Sequence, residues 1–329
     1  MPDRDIRYSQ DWDMKNGRTR HINKAGFVSD MEYDPKGAGP LLAVVGDSYI
    51  EAMQVDWRDT VHANLARATG DRGRVYAFGA AFAGLPQYLA WASLARDDYR
   101  PSMLVVNVVG NDFLQPLPAP GDSFRGGFQG MDFFDTDAAG ELVIQKSTRP
   151  PESLIRKILR HSAVVSYAYR NLDILAAPQR LSQMAADWAR PQPEAPVFVA
   201  NTVAKVDEDE RKLAQRQIDL FLALLPKSAG LPPQSIVITI DGIRPELYDP
   251  KNEDVLANSF PGEMANYLNN RATALGFEVI PLQPLFIAGH RRSGQVFEYP
   301  FNNHWNANGH RVMAEGVLAS QTYARTFTH

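Results

Sequence analysis

Four short stretches of the chain set side chains of catalytic type beside residues that shape the backbone. The first is Gly46-Asp47-Ser48-Tyr49, directly after the apolar run Leu41–Val45. A serine there is exposed, and backbone N–H groups at the start of a following helix can stabilise an oxyanion. The plainer reading is a strand-to-helix turn in which Asp47 and Ser48 act as caps. The second is Gly110-Asn111-Asp112, after the run MLVVNVV. The Asn111 amide can donate to an oxyanion, or the stretch can simply turn the chain. The third, Ala77–Leu89 (AFGAAFAGLPQYL), carries Gly79 and Gly84. Glycine permits unusual dihedrals and close backbone approach; its plainer role here is packing a helix onto a sheet. The fourth is Asn302-Asn303-His304-Trp305-Asn306. Histidine is the usual general base for a serine. His21, His62, His161, His290, His310 and His329 lack comparable neighbours and read as surface or packing residues.

These stretches gain meaning from the elements that carry them. Leu41–Val45, Met103–Val109 and Ser235–Ile240 are continuous apolar runs, as strands buried on both faces require. Val75–Phe78, Val197–Thr202 and Phe277–Ile280 read as shorter strands. Helical spacing follows Asp59 and ends at Gly70; it recurs over Pro86–Arg96, Asp207–Leu225, Glu263–Leu275 and Asn306–Thr328. Gly70 and Gly276 are C-cap signals. The cluster Asp207-Glu208-Asp209-Glu210 suits a solvated helix start. Strand and helix alternate, which predicts an α/β fold: three layers, α/β/α, around a mostly parallel sheet. In such a sheet the GDS and GND turns share the carboxyl edge, where open α/β sheets bind ligands.

The alternation lapses at Phe113. A Pro-, Gly- and Asp-rich stretch follows, too long for an ordinary loop, and marks an insertion at about residues 113–195. It holds an amphipathic helix over Glu152–Leu172, a linker-like stretch at 186–196, and the aromatics Phe124, Phe128, Phe133 and Phe134. Aromatics stack on sugar faces and equally pack a lid. Residues 1–39 are polar and read as an extended lead-in, with 40–329 as a single domain.

Composition removes several function classes. With 329 residues, 44% of them hydrophobic, the chain can bury a large core. A net charge of -4 supplies no field for holding phosphate backbones, so no nucleic-acid partner is expected. The chain has no cysteine, which excludes disulfides, thiolate catalysis and Cys-based zinc sites. No histidine pair has ligand spacing and no phosphate-binding glycine loop is present, so neither a metal nor another cofactor is expected. The first residues, MPDRDIRYSQDWDMKNGR, lack the apolar run of a signal peptide, and no stretch reaches the ~20 apolar residues of a membrane span.

GDS after the first strand, a glycine turn after the second, GND after the third and a late histidine before the last helix together resemble the SGNH (GDSL) hydrolase superfamily. The resemblance covers Leu41 to about Phe113 and about Ser235 to Phe327. GDSYIEAMQV and NNHWNANGHRVMAE look most like a bacterial subgroup acting on acylated carbohydrates and exopolysaccharides. The lead-in NKAGFVSDMEY is similar to a segment such proteins carry, sometimes after a membrane anchor. The resemblance thus leaves room for a tether upstream of Met1 and favours a periplasmic or envelope-facing setting over a cytoplasmic one, without fixing the compartment. The resemblance implies a flavodoxin-like sheet and a serine esterase or O-acyltransferase acting on an acylated carbohydrate or other small ester. Ser48 would be the nucleophile and His304 the base. The Ser48 N–H, an N–H of the glycine block and the Asn111 side chain would hold the oxyanion.

Two departures from the family pattern bear on this. Asn302 and Phe301 stand where a carboxylate is usual before the histidine. An asparagine cannot supply the charge, and that exchange costs about 10⁴ in rate in a well-studied triad. A backbone carbonyl can orient His304 instead, another carboxylate such as Glu298 can reach it, or the domain can be a weak or inactive enzyme that binds carbohydrate. In the glycine block the usual oxyanion glycine falls on Phe82. The donor is then the Phe82 N–H, or the loop shifts to use Gly79 or Gly84.

Overall fold

A computed structural model describes residues 2–9, 17–114, 130–146, 198–199, 202–244, 246–299 and 302–328. In chain order its strands are β1 (Arg4–Tyr8), β2 (Arg18–Ile22), β3 (Leu41–Gly46), β4 (Arg74–Gly79), β5 (Met103–Val108), β6 (Asp132–Thr136) and β7 (Leu142–Lys146). They continue with β8 (Phe198–Val199), β9 (Thr202–Val203), β10 (Ile236–Ile240), β11 (Glu278–Pro281), β12 (Glu298–Tyr299) and β13 (Asn302–Trp305). The helices are α1 (Ser48–Glu51), α2 (Val61–Thr69), α3 (Leu85–Leu94), α4 (Glu208–Ala229), α5 (Glu253–Ala257), α6 (Phe260–Ala274), α7 (Leu282–Ser293), α8 (Ala307–Leu318) and α9 (Gln321–Phe327).

Five strands form the central sheet in the order β11-β10-β5-β3-β4, and every pairing in it is parallel. Numbered by their own sequence, this is the 2-1-3-4-5 order of flavodoxin-like sheets. Its direction of winding reverses between β3 and β5, the point where such sheets bind ligands. Successive side chains of a strand face opposite sides, and here both sides are covered. Leu41, Ala43, Val45, Leu104, Val106, Ile236 and Ile238 pack with residues of α3, α4 and α6. Leu42, Val44, Met103, Val105 and Val237 pack with residues of α2, α7, α8 and α9. The continuous apolar runs are thus the middle layer of an α/β/α sandwich, as expected.

Several local expectations are corrected. Of the strand expected over Val197–Thr202, the described residues do not join the central sheet: β8 pairs with β9, antiparallel. The closing helix is broken: α8 ends before Ala319, and Ser320 caps α9 by accepting from the Tyr323 N–H. The helix expected at Glu263 begins at Phe260, because Ser259 caps it and Pro261 fits its first turn. The helix expected to reach Arg96 leaves α geometry after Leu94, in a wider turn over Ala95–Tyr99. Helix α7 has no counterpart in the sequence reading.

Within residues 1–39, β1 and β2 form a hairpin. Further on, the buried Tyr33 stacks on Tyr76 at 4.3 Å. Its hydroxyl donates to the Ala77 carbonyl at 2.6 Å and accepts from the Ala77 N–H at 3.0 Å. It thereby satisfies backbone groups on the open side of the edge strand β4, which would otherwise invite pairing with another chain. Within residues 113–195, where an insertion is expected, the β6–β7 hairpin is described. The Asp132 N–H donates to Gln87 of α3 at 2.9 Å, and Phe133 and Phe134 are buried in packing. Glu152–Leu172, 186–196, Phe124 and Phe128 lie outside the described residues.

Candidate active site

The corner that carries Ser48 is built by two glycines. A Cβ on Gly46 would lie 2.4 Å from Ile50 Cγ1, and one on Gly79 would lie 2.7 Å from the Glu51 nitrogen. Only hydrogen at these positions lets α1 fold back over the ends of β3 and β4. Asp47 caps the helix, its Oδ1 accepting from the Tyr49 N–H at 3.0 Å. Ser48 is therefore the first helical residue, set at the carboxyl edge of the sheet where its winding reverses.

The structure brings His304 to it from β13, across 256 residues of chain. His304 Nε2 lies 2.8 Å from Ser48 Oγ. Burial drives the His304 pKa down to about 4; Asp241 opposes the shift and Arg244 reinforces it. At neutral pH the imidazole is uncharged, so Nε2 can accept the serine proton. The Tyr49 ring stacks on the imidazole with centroids 4.8 Å apart and planes 28° apart. Asn302 holds its backbone place in β13 opposite Tyr299; its side chain lies outside the described structure.

The oxyanion candidates sort by backbone. Asn111 is exposed, in the turn that follows β5 beside β3. Gly79 serves the close approach of α1, and Gly84 is the buried N-cap of α3. Phe82 has φ 66° and an 82% exposed side chain. The turn thus demands the left-handed conformation that favours glycine, and a phenylalanine occupies it at a cost of roughly 1–2 kcal/mol. The loop is tied to α1 by the Ala81 N–H, which donates to Glu51 Oε2 at 3.1 Å.

Two buried carboxyl groups, Asp47 and Asp112, belong to the same corner. Asp112 Oδ2 accepts from the Tyr88 hydroxyl and from the Val109 N–H, each at 2.9 Å. Burial, then the charge of Asp47, raises the pKa of Asp112. Burial raises that of Asp47 as well. Two buried carboxylates so placed do not both ionise readily.

The sequence reading missed Asp241, Arg244 and Tyr49. Asp241 follows β10 at the same edge as GDS and GND, so its place after SIVITI is the signal that was there to find. Glu298, considered as a stand-in carboxylate, instead accepts from the Tyr248 hydroxyl at 2.6 Å and lies 3.8 Å from Arg244 Nε. His62 and His310 are buried in packing. Among the described residues one group, Asp3, His21 and Glu32, brings possible metal-ligand atoms within 4.8 Å of one another, in the lead-in. No described helix is long and apolar enough to cross a membrane.

No family model and no curated protein matches the sequence. Among solved structures, a lipolytic G-D-S-L family protein from Veillonella parvula is 9% identical; the match covers 86% of this chain and 99% of that one, with a TM-score of 0.41. A carbohydrate acetylesterase family member from Sinorhizobium meliloti is 11% identical, covering 88% and 100%, with a TM-score of 0.42. The acetyl xylan esterase AlAXEase is 10% identical, covering 85% and 98%, with a TM-score of 0.43. In the order of its sheet and in its GDS, GND and late histidine, the chain resembles the SGNH/GDSL hydrolases.

Proposed function

We propose that the chain is a serine esterase working through an acyl-enzyme at Ser48, with an acylated carbohydrate or other small ester as substrate. The observation that carries this reading is the 2.8 Å contact between Ser48 Oγ and an uncharged His304 Nε2 at the switch point of the sheet. Ser48 Oγ attacks the ester carbonyl carbon while its proton passes to His304 Nε2. The tetrahedral oxyanion is held by the Ser48 and Phe82 N–H groups and the Asn111 amide. Collapse breaks the ester C–O bond, and the imidazolium returns its proton to the leaving alcohol. A second acceptor then loses its proton to His304 and attacks the acyl-serine; the acyl–Oγ bond breaks, and the imidazolium returns the proton to Ser48 Oγ. Water as acceptor gives a hydrolase; a sugar hydroxyl gives an O-acyltransferase by the same steps. The carbohydrate class rests on the likeness of GDSYIEAMQV and NNHWNANGHRVMAE to proteins of that kind. Only the acceptor separates the two activities, so the test supplies an aryl acetate with and without an oligosaccharide and follows free acetate and acetylated sugar. Acetate release that disappears in Ser48→Ala supports the esterase; ester turnover that survives Ser48→Ala contradicts it.

A further inference from the structure

We infer that the buried Asp241–Arg244 ion pair at the end of β10, together with Tyr49, is the positioning device for His304, in place of a carboxylate two residues before the histidine. The inference rests on the Ser48–His304 reading above and concerns what makes that pair competent. In the family pattern the orienting group comes from the histidine's own loop, at the position held here by Asn302, which carries no charge.

The residues on both sides of His304 are held by this one pair. Ahead of it, the Asn303 carbonyl accepts from the Tyr49 hydroxyl at 2.8 Å and from Arg244 Nη2 at 3.3 Å. Behind it, the Trp305 indole N–H donates to Asp241 Oδ1 at 3.0 Å. The two grips meet, because Arg244 binds Asp241 through both carboxylate oxygens. Such a fork fixes geometry as well as charge. Asp241 is itself oriented by the Gly242 N–H at 2.8 Å. The guanidinium lies over the Phe286 ring at 4.5 Å, with its Nε 3.8 Å from Glu298. Arg244 is 1% exposed and the Asp241 side chain 6%. Tyr49 adds the stacking contact on the imidazole and is next in sequence to Ser48, so one residue references both members of the reacting pair.

A buried pair of this kind is weak evidence for stability, since apolar replacements are often tolerated. Its retention at this point is explained by what it orders. Asp241 and Arg244 act on the imidazole with opposite sign, with His310 a further charged neighbour when protonated. The device therefore holds the ring more than it charges it. Misplacement of a catalytic group by about 1 Å costs about 10² in rate.

The test compares the intact chain with Asp241→Asn, Tyr49→Phe and the double variant Asp241→Leu with Arg244→Met. The double variant leaves neither member of the pair without the other, while Glu298 keeps its bond from the Tyr248 hydroxyl, and circular dichroism checks that it folds. Two readouts are taken: the rate of fluorophosphonate labelling at Ser48, and the pKa and tautomer of His304 by NMR, assigned with His304→Gln. The inference predicts labelling about 10²-fold slower in Asp241→Asn and in the double variant, and about tenfold slower in Tyr49→Phe, with the His304 tautomer no longer single. Asn302→Asp in the Asp241→Asn background is predicted to recover at least tenfold. An unchanged His304 tautomer and pKa in folded Asp241→Asn and in the folded double variant would overturn the inference. If the native chain fails to label while the His304 signals still respond, the positioning role stands and the esterase reading falls.

Discussion

The loop that carries His304 and the loop that carries Phe82 both adjoin α1, and they are built in contrary ways. The first is gripped from both sides by buried polar groups, with a stacked tyrosine and a bidentate ion pair. The second presents a phenylalanine to solvent and holds it in a backbone conformation suited to glycine. The proposed base, His304, is held by packing and hydrogen bonds without any substrate, as transition-state complementarity requires of a group whose geometry must not relax. The proposed oxyanion side is shaped by a turn whose one large side chain, Phe82, faces solvent.

The largest expected effect lies where the two loops converge. Ser48→Ala removes the nucleophile and is expected to lower ester turnover by roughly 10⁴-fold or more, measured as acetate release with folding checked by circular dichroism. Next comes the exposed turn after β5: Asn111→Ala removes one oxyanion donor and is expected to reduce kcat by roughly 10²–10³, with KM nearly unchanged. A loss confined to KM would place Asn111 in ground-state binding instead.

The pH dependence sharpens the contrast from the buried side. Because burial holds the His304 pKa down to about 4, the base stays deprotonated and the acid limb of kcat/KM is expected near pH 4 rather than near 6.5. The sign for stability is opposite to that of an ion-paired histidine. Between about pH 6.5 and 4 the unfolded chain takes up a proton that folded His304 refuses, so this group's contribution weakens as pH falls through that window. His304→Gln is expected to flatten that part of the stability profile in urea titrations.

The smallest effect belongs to the exposed side. Phe82→Gly relieves left-handed strain of roughly 1–2 kcal/mol but adds backbone freedom to the unfolded chain worth roughly 0.5–1 kcal/mol. Thermal unfolding is therefore expected to show Phe82→Gly slightly more stable than both the native chain and Phe82→Ala, which keeps the strained backbone. If Phe82→Ala were the more stable of the two, the strain assigned to this turn would be wrong.

The same contrast explains what was legible in the sequence. The strands of the middle layer are apolar on both faces, and such runs announce themselves. The GDS and GND turns follow them at once, so parallel strands place both turns at one edge without further information. The β1–β2 hairpin was hidden because Arg4–Tyr8 and Arg18–Ile22 are mostly charged and polar, with no apolar period to read. The break at Ser320 was hidden because serine is tolerated within a helix and only its bond to the Tyr323 N–H makes it a cap. Asp241 and Arg244 read as an ordinary turn after a strand. Their meaning depends on Asn303 and Trp305, some 60 residues away, and no local pattern encodes that meeting. Phe82 shows the converse: a comparison with the family's glycine marked the position, and its φ of 66° supplies the reason.

The most direct test of the central claim is intact-mass labelling of the full chain with a fluorophosphonate, beside Ser48→Ala and His304→Gln. The account predicts one adduct on the native chain, mapped to the peptide holding Ser48, none on Ser48→Ala, and strongly slowed labelling of His304→Gln. A native chain that stays unlabelled, or labels equally well without Ser48, would contradict it.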